Sequence, residues 1–360
     1  MSARFQTGLI VGKFAPLHIG HEALIRAAQA QCERLFIISY SQPELPGCEP
    51  EKRERWLKTR FPMAEILVVT PDRIAAWRAA GRQIDPMSDN DAPADVHRHF
   101  VAQLCLEVLG CMVDAAFTGE DYGDGFAAVL SDDFTAKAGH PIQVTHVRID
   151  RSQTANRVSG TKLRADIHGQ RAAMAPEIYG DFVQRVCLLG GESTGKSTLS
   201  IALAAHLDTK YVAEYGRELW EQQGGQLSYD DLLHIAQKQV AREVGSIGHA
   251  NRYLICDTSP LTTLFYCQHL FGKAEPALIE LAQRPYDLVV LCAPDFDFVQ
   301  DGTRQGNEFR LLQHRWYEAE LTQRGTPWLA VTGSMTQRIV KVATHLRPLP
   351  GSQHSPQGVT

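Results

Sequence analysis

The sequence predicts an α/β protein made of two doubly wound, parallel-sheet domains. Three observations lead there. At 360 residues the chain is long for a single core, so two domains are the natural division. Short runs rich in Val, Ile and Leu alternate with helix-like stretches along the whole chain. These runs are continuous rather than alternating, as in strands covered on both faces. Each half also opens on such a run, followed directly by a glycine-containing turn and a helix-like segment.

Taken in order, the first half offers TGLIVGKF, RLFIISYS, EILVVTP, AAFTGE and IQVTHVRI as strands, and the second RVCLLGG, KYVAEYG, YLICDTS, DLVVLCAP and WLAVTG. Pro and Gly interrupt the pattern over residues 170–184, QRAAMAPEIYGDFVQ, which places the domains at 1–172 and 184–347. Residues 348–360 are rich in Pro, Gly, Ser and Gln and read as a disordered tail. GRQIDPMSDNDAPADV, residues 81–96, reads as a long polar loop of the kind that is functional or disordered in compact domains.

Hydrophobic residues at 44% and charged residues at 21% are ordinary for a globular protein. A net charge of −5 argues against a dedicated nucleic-acid binder, which needs basic surface to replace phosphate counterions, although a local basic cleft is compatible with it. Cys32, Cys48, Cys105, Cys111, Cys187, Cys256, Cys267 and Cys292 form no C-x-x-C pair, and several sit inside apolar runs as small hydrophobes. That usage fits a reducing cytoplasm. The N-terminus lacks a signal-peptide apolar region, and no stretch approaches the ~18 apolar residues of a membrane span. A cytoplasmic location is expected, and a homo-oligomer is compatible with the sequence.

The strongest motif is GGESTGKST in the second half, with Gly190, Gly195, Lys196 and Ser197 in the G-x-x-x-x-G-K-[ST] pattern between a strand and a helix. Its glycines let backbone N–H groups turn inward, the helix N-terminus favours an anion, Lys196 reaches the β- and γ-phosphates, and Ser197 is placed to ligate Mg²⁺. Gly191, Glu192, Ser193, Thr194 and Thr198 complete the candidate ATP-binding loop. Three further stretches bear on its use. EYGRE carries Glu214, Tyr215, Arg217 and Glu218 after the second strand, on the acceptor side. Asp257 ends the third strand, where an acidic residue holds Mg²⁺ directly or through water. QDGTRQGNEFR brings Arg304 and Arg310 on a polar segment suited to a lid. Singly, Glu214 reads equally as a surface carboxylate, Asp257 as a helix cap and Arg304 as a loop charge. In this order, within a domain of ~160 residues, they favour a small-molecule kinase over an energy-coupling ATPase.

The first half opens with GKFAPLHIGH, residues 12–21. His18 and His21 are spaced to chelate a metal, yet no Cys or carboxylate lies at ligand spacing beside them. Two imidazoles, a lysine and a glycine also make a poor apolar face. A phosphate site uses every one of them: both rings donate from a helix start, Gly20 allows close approach, and Lys13 adds charge. RVSGTKLRADI, residues 157–167, adds Ser159 and Thr161 at another helix start, then Lys162 and Arg164. Alone it reads as a capped helix with solvated cations; beside Lys13, His18 and His21 it makes a second wall for a triphosphate.

The HIGH-like element followed by S-x-T-K-x-R resembles the nucleotidylyltransferase superfamily. With GGESTGKST, EYGRE, the Asp-ending strand and DGTR behind it, the order resembles the bifunctional NadR-type proteins over roughly residues 7–345. The resemblance implies an N-terminal Rossmann-like nicotinamide-mononucleotide adenylyltransferase and a C-terminal P-loop ribosylnicotinamide kinase, with ATP as co-substrate, Mg²⁺ as cofactor and no membrane partner. It implies that Lys13, His18, His21, Lys162, Arg164, Lys196, Glu214, Asp257 and Arg304 take part in catalysis, with Glu214 or Asp257 as base. Gly12, Phe14, Gly20, Ser159 and Thr161 would line the first ATP site. Arg53 and Arg55 fall in an Arg-rich helix that holds phosphate, and Glu120, Asp121 and Tyr122 in an acidic segment near the nucleotide. Tyr215 and Arg217 would meet the kinase substrate.

Three departures stand out. The first strand begins too early for the DNA-binding helix-turn-helix of some members, so no DNA is expected. Ser259 stands where the family has a carboxylate. The tryptophan-rich segment that holds the pyridine ring is replaced by APADVHRHF, leaving His97, His99 or Trp77 as stacking candidates. Two rivals remain open: a fusion acting on another phosphorylated small molecule such as phosphopantetheine, and an NAD- or ATP-sensing regulator with a degenerate kinase half.

Overall fold

The computed structural model describes residues 4–119, 122–149, 159–298 and 306–346. The chain divides into two compact units, residues 1–181 and 182–360. All ten apolar runs form strands. In the first unit these are β1 (Phe5–Gly12), β2 (Cys32–Ser39), β3 (Glu65–Val68), β4 (Ala115–Thr118) and β5 (Thr145–Arg148). They form one parallel sheet in the order β3-β2-β1-β4-β5. The second unit holds β6 (Gln184–Leu189), β7 (Lys210–Val212), β8 (Tyr253–Asp257), β9 (Leu288–Cys292) and β10 (Trp328–Val331). Its sheet, also parallel, runs β10-β9-β6-β8-β7.

The strand patterning explains the layers. In β6, Cys187 and Leu189 pack under Leu232, Ile235, Leu264 and Tyr317 on one face. Val186 and Leu188 face Leu199, Leu203 and Val342 on the other. Alternate residues of one strand thus enter two apolar cores, which is why the run is continuously apolar. In the first unit Leu9, Phe36, Ile38 and Ala116 pack with Phe100, Leu104, Phe126 and Phe134. Gly8 is required inside β1, since a Cβ there would sit 2.7 Å from the Phe117 ring and 2.9 Å from Cys32 Sγ.

Residues 81–93 form an ordered loop. Ile84 and Met87 are buried in the core, and Asn90 donates from its backbone to the Gln42 carbonyl (2.7 Å). The helix Ala94–Gln103 begins inside the stretch read as loop. Within the Pro/Gly interruption, Ile178 and Tyr179 are buried, and Asp181 accepts from Trp56 Nε1 and Arg55. The segment therefore packs with the first unit. The expected tail falls outside the described residues.

Candidate functional site

In the first unit β1 and β4 are neighbours at the centre of the sheet, and their outward connections diverge there. A doubly wound sheet opens a crevice at such a point, beyond the carboxyl ends of the strands. Gly12 ends β1, and the exposed Lys13 follows it. Phe14 takes a left-handed φ of 49° and folds its ring back against Gly12, where a Cβ would lie 3.2 Å from it. His18 is buried and caps the helix Ile19–Gln29, its Nδ1 accepting from Gly20 N (3.1 Å). A neutral ring that accepts at Nδ1 donates at Nε2. His21 stacks on it with centroids 3.7 Å apart, and Phe14 meets His21 edge-on at 5.0 Å.

The distant second element arrives at the same place. Arg164, on the helix Gly160–Ala165, donates to Ala15 O (2.6 Å) and to Thr161 Oγ1 (3.2 Å). Gly160 lies against this contact, a Cβ there falling 3.8 Å from Ala15 O. Ser159 occupies the N-cap position without a side-chain cap bond, and Lys162 is exposed. Partial desolvation of this largely exposed side chain first, then the Arg164 guanidinium, hold the Lys13 ammonium below its usual value, with Asp91 acting the other way. Lys13 and Arg164 thus form a positive pole that an anion would relieve.

Arg53 needs a correction. It is fully buried, donating to Lys13 O (3.3 Å) and Ser39 Oγ (3.0 Å) and pairing both Glu44 oxygens (2.7 and 2.8 Å). It braces the loop from beneath and does not reach the crevice as a phosphate ligand. Arg55 pairs with Asp181 instead. Tyr122 is half exposed, and its carbonyl accepts from Arg98; Glu120 and Asp121 lie outside the described residues. Of the ring candidates, Trp77 packs on the core, His99 pairs with Asp133 (2.8 Å), and His97 bonds the Tyr40 hydroxyl (3.1 Å).

A further cluster escaped the sequence reading. Thr118, ending β4, bonds His146 Nε2 at 2.8 Å, and His146 Nδ1 bonds Asp124 at 2.7 Å. Gly123 makes room for the imidazole, since a Cβ there would fall 1.9 Å from Nε2. No local motif announces it, because three different elements meet only in the folded sheet.

In the second unit the phosphate-binding loop leaves β6 and enters the helix Lys196–His206. Gly190, Ser193 and Gly195 all have positive φ (145°, 56° and 77°). Substitution at the first two glycines is blocked by backbone: a Cβ would sit 2.7 Å from Cys292 O at Gly190 and 2.5 Å from Arg310 O at Gly191. Thr194 Oγ1 and Lys196 Nζ both donate to Gly191 O (2.8 and 3.0 Å). A cavity of about 650 Å³ opens beside the loop, and Glu192, Lys196, Ser197, Thr198, Glu214, Arg217 and Ser259 are among its lining residues.

Asp257, ending β8, is buried, and its Oδ1 has no hydrogen-bond partner among the described residues. Burial raises this carboxyl, against the neighbouring Ser197 hydroxyl and the charges of Lys196 and Arg217. Glu214 is also pushed up, by burial first and by Asp257 second, with Lys196 and Arg217 opposing. Two crowded carboxyls and an orphaned buried oxygen beside a hydroxyl form a donor set that fits a hard divalent cation. Ser259 caps the helix Pro260–Phe271 and accepts from Leu261 N (3.3 Å).

Two kinase-half expectations change. Tyr215 is buried away from the cavity, with its backbone N on Gln239 and its hydroxyl on His234. Arg310 belongs to the helix Asn307–Gln323 and donates to Phe296 O (2.9 Å), so it is a buried support rather than a lid cation. Arg304 lies outside the described residues. The structure adds residues that sequence spacing did not flag. Gln313 accepts from Glu192 N (2.7 Å), and Tyr266 donates to Glu192 Oε1 (2.9 Å). Trp220 lines the cavity, and its signal was a lone Trp two residues past EYGRE.

A family model described as an AAA domain matches residues 185–338. Across both units, the chain is 29% identical over 325 residues to the trifunctional NAD biosynthesis/regulator protein NadR of Escherichia coli K12, covering 82% of this chain and 71% of that protein. The chain is homologous to NadR. The NadR of Salmonella typhimurium LT2 is 29% identical over 320 residues, at 82% and 71% coverage. Two solved NadR structures share the fold. One, in complex with NR, has a TM-score of 0.65 at 20% identity and covers 96% of each chain. The other, with NAD and AMP-PNP, has a TM-score of 0.63 at 19% identity and covers 94% of this chain and 96% of that one. The NadR homology supports a role in NAD biosynthesis. Among the described residues, no helix is long and apolar enough to cross a membrane.

Proposed function

We propose that this NadR homologue carries two ATP-dependent activities of NAD salvage, phosphorylating ribosylnicotinamide and adenylylating nicotinamide mononucleotide. The observation that supports this most is the meeting of Arg164 with the loop bearing Lys13 and His18 in the first unit. It gathers cations and ring donors at the mouth of a sheet whose companion unit holds an intact phosphate-binding loop.

In the second unit, the 5′-hydroxyl of ribosylnicotinamide attacks the γ-phosphorus of ATP as the bond to the β-phosphate oxygen breaks. Lys196 and the inward N–H groups of the loop stabilise the spread negative charge, and Arg304 is the further cation that the sequence offers for this step. Glu214 takes the hydroxyl proton, with Asp257 the other candidate base. Ser197 and Asp257 would hold Mg²⁺, which neutralises phosphate charge when bound. In the first unit, the phosphate of nicotinamide mononucleotide attacks the α-phosphorus of a second ATP, and pyrophosphate leaves. A phosphate dianion is already a nucleophile, so the chain supplies positioning and charge through Lys13, His18, His21, Lys162 and Arg164.

The test is incubation of ribosylnicotinamide, nicotinamide mononucleotide and phosphopantetheine, each alone, with Mg·ATP. Phosphorylation of the first and adenylylation of the second are expected. Adenylylation of phosphopantetheine alone would sink the nicotinamide assignment, and binding without turnover would point to a sensor. Lys196→Ala should abolish phosphorylation and leave adenylylation intact.

A further inference from the structure

Arg338 lies on the helix Met335–Leu346 and is fully buried. Its guanidinium ties three loops together. Nη1 donates to Thr194 O of the phosphate-binding loop (2.9 Å), and Nε donates to Gly333 O after β10 (3.0 Å). Nη2 donates to Ala293 O after β9 (3.0 Å) and to the Asp295 carboxylate. Asp295 in turn accepts from Gly333 N, and the Phe296 ring covers the guanidinium at 4.8 Å. Four acceptors from three segments hold the planar fork in one orientation, as only arginine permits.

The Thr194 contact determines which way a peptide faces. In a trans peptide the carbonyl and the following N–H point to opposite sides. Arg338 is not among the cavity-lining residues, whereas Gly195, Lys196 and Ser197 are. With Thr194 O drawn down to Arg338, the Gly195 N–H is turned up into the concavity that receives phosphate. The peptide leads into Gly195 at positive φ, with Ser193 just before it also at positive φ, conformations that surrounding contacts must hold.

We infer that Arg338 is a positioning residue of the kinase reaction, fixing the 194–195 peptide so that the Gly195 N–H faces the nucleotide phosphates. This rests on the proposed reading of the second unit as an ATP-dependent kinase. Gln313 and Tyr266 act on Glu192 at the other end of the loop, and Thr194 Oγ1 and Lys196 Nζ hold Gly191 O, whereas the Thr194 carbonyl itself is taken by Arg338.

Calorimetry on the full chain with AMP-PNP, reading the binding that Lys196→Ala removes, and separately with ribosylnicotinamide, tests the inference. Arg338→Met should weaken AMP-PNP binding roughly tenfold or more, the loss of a phosphate-directed hydrogen bond. Affinity for ribosylnicotinamide should stay at the wild-type value. A folded variant that binds AMP-PNP as the wild type does overturns the inference, and so does equal weakening of both ligands, which marks a merely structural arginine. If Arg338→Met shows no cooperative melt, Arg338→Lys decides between the same two outcomes, because one ammonium keeps the charge but not the fork. Wild-type protein that binds AMP-PNP and not ribosylnicotinamide would overturn the substrate reading while leaving the AMP-PNP comparison decisive for Arg338.

Discussion

Arg164 donates to the carbonyl of Ala15 at 2.6 Å, joining two segments 149 residues apart in the chain. This bond brings the second cationic element of the first unit to the loop that carries Lys13 and His18. Arg164→Ala should lower adenylyl transfer by about 10²-fold, the usual size for one preorganised charge-stabilising donor. Arg164→Lys should recover only part of it, since an ammonium cannot hold Ala15 O and Thr161 together. Separate assays of the two activities check this, and phosphorylation should be unchanged.

His18 and His21 have separable roles. His18 caps a helix, so His18→Ala should cost about 1 kcal/mol of stability along with activity. His21 is not the capping residue, so His21→Ala should act mainly on kcat/KM for adenylylation. Chemical denaturation beside steady-state kinetics distinguishes the two. Equal loss of stability in both variants would refute the division.

The Lys13 ammonium sits below its usual value, because of partial desolvation and then Arg164. As pH rises, it therefore loses its proton before an ordinary surface lysine does. ATP capture by the first unit should fall early on the alkaline side, and Arg164→Gln should move that fall to higher pH. Stability responds in the opposite sense. Between the lowered native value and the ordinary one the unfolded chain binds more protons, so stability rises with pH across that window. A kcat/KM profile and a melting series over the same range test both signs.

Glu214 is raised by burial and by Asp257, so its ionised form is less favoured in the folded chain than in the unfolded one. A carboxyl with a folded value above its unfolded one loses stability as pH rises through that gap. Glu214→Gln should then raise the neutral-pH melting temperature of the ligand-free protein. The gain should vanish in acid, where both states are protonated. Phosphorylation should drop by roughly 10²-fold, as expected for loss of a general base. Unchanged turnover would shift the base to Asp257.

Gly123 stands in the first turn of the helix Gly123–Ala138, where alanine would ordinarily be the better helix former. Here the added methyl meets His146 Nε2, a ring held on both nitrogens. Gly123→Ala should therefore destabilise by about 1–3 kcal/mol, the usual cost of overpacking. Urea denaturation measures it, and a stabilised variant would show that the Thr118–His146–Asp124 chain is dispensable.

The strands were legible because each is a run of apolar residues covered on two faces, as the split of Val186 and Leu188 from Cys187 and Leu189 shows. The phosphate-binding loop was legible because its function is written in consecutive residues. Arg53 was misread for the opposite reason. A cation near a phosphate motif looks like a ligand, and only the fold shows Glu44 and the Lys13 carbonyl occupying its guanidinium. Arg310 failed similarly: sequence placed it on the lid, whereas it lies in the first turns of a helix packed under Gly191. Gln313, Tyr266, Arg338 and the Thr118–His146 pair carry no local signature, because each acts on a partner far away in sequence.

The two units receive phosphate with different materials, and this leaves each with its own mutational fingerprint. In the first, side chains are the instrument, and removing Lys13, His21 or Arg164 leaves the backbone around them with room to persist. In the second, much of the instrument is main chain, hemmed in so closely that Cys292 O and Arg310 O exclude even one extra carbon at Gly190 and Gly191. An alanine scan that spares native glycines would report most of the first site, but of the second only the side chains and not the main-chain cradle. A scan that adds methyl groups at glycines would bring out the loop at 190–195, which an alanine scan touches only through side chains such as Lys196 and Ser197.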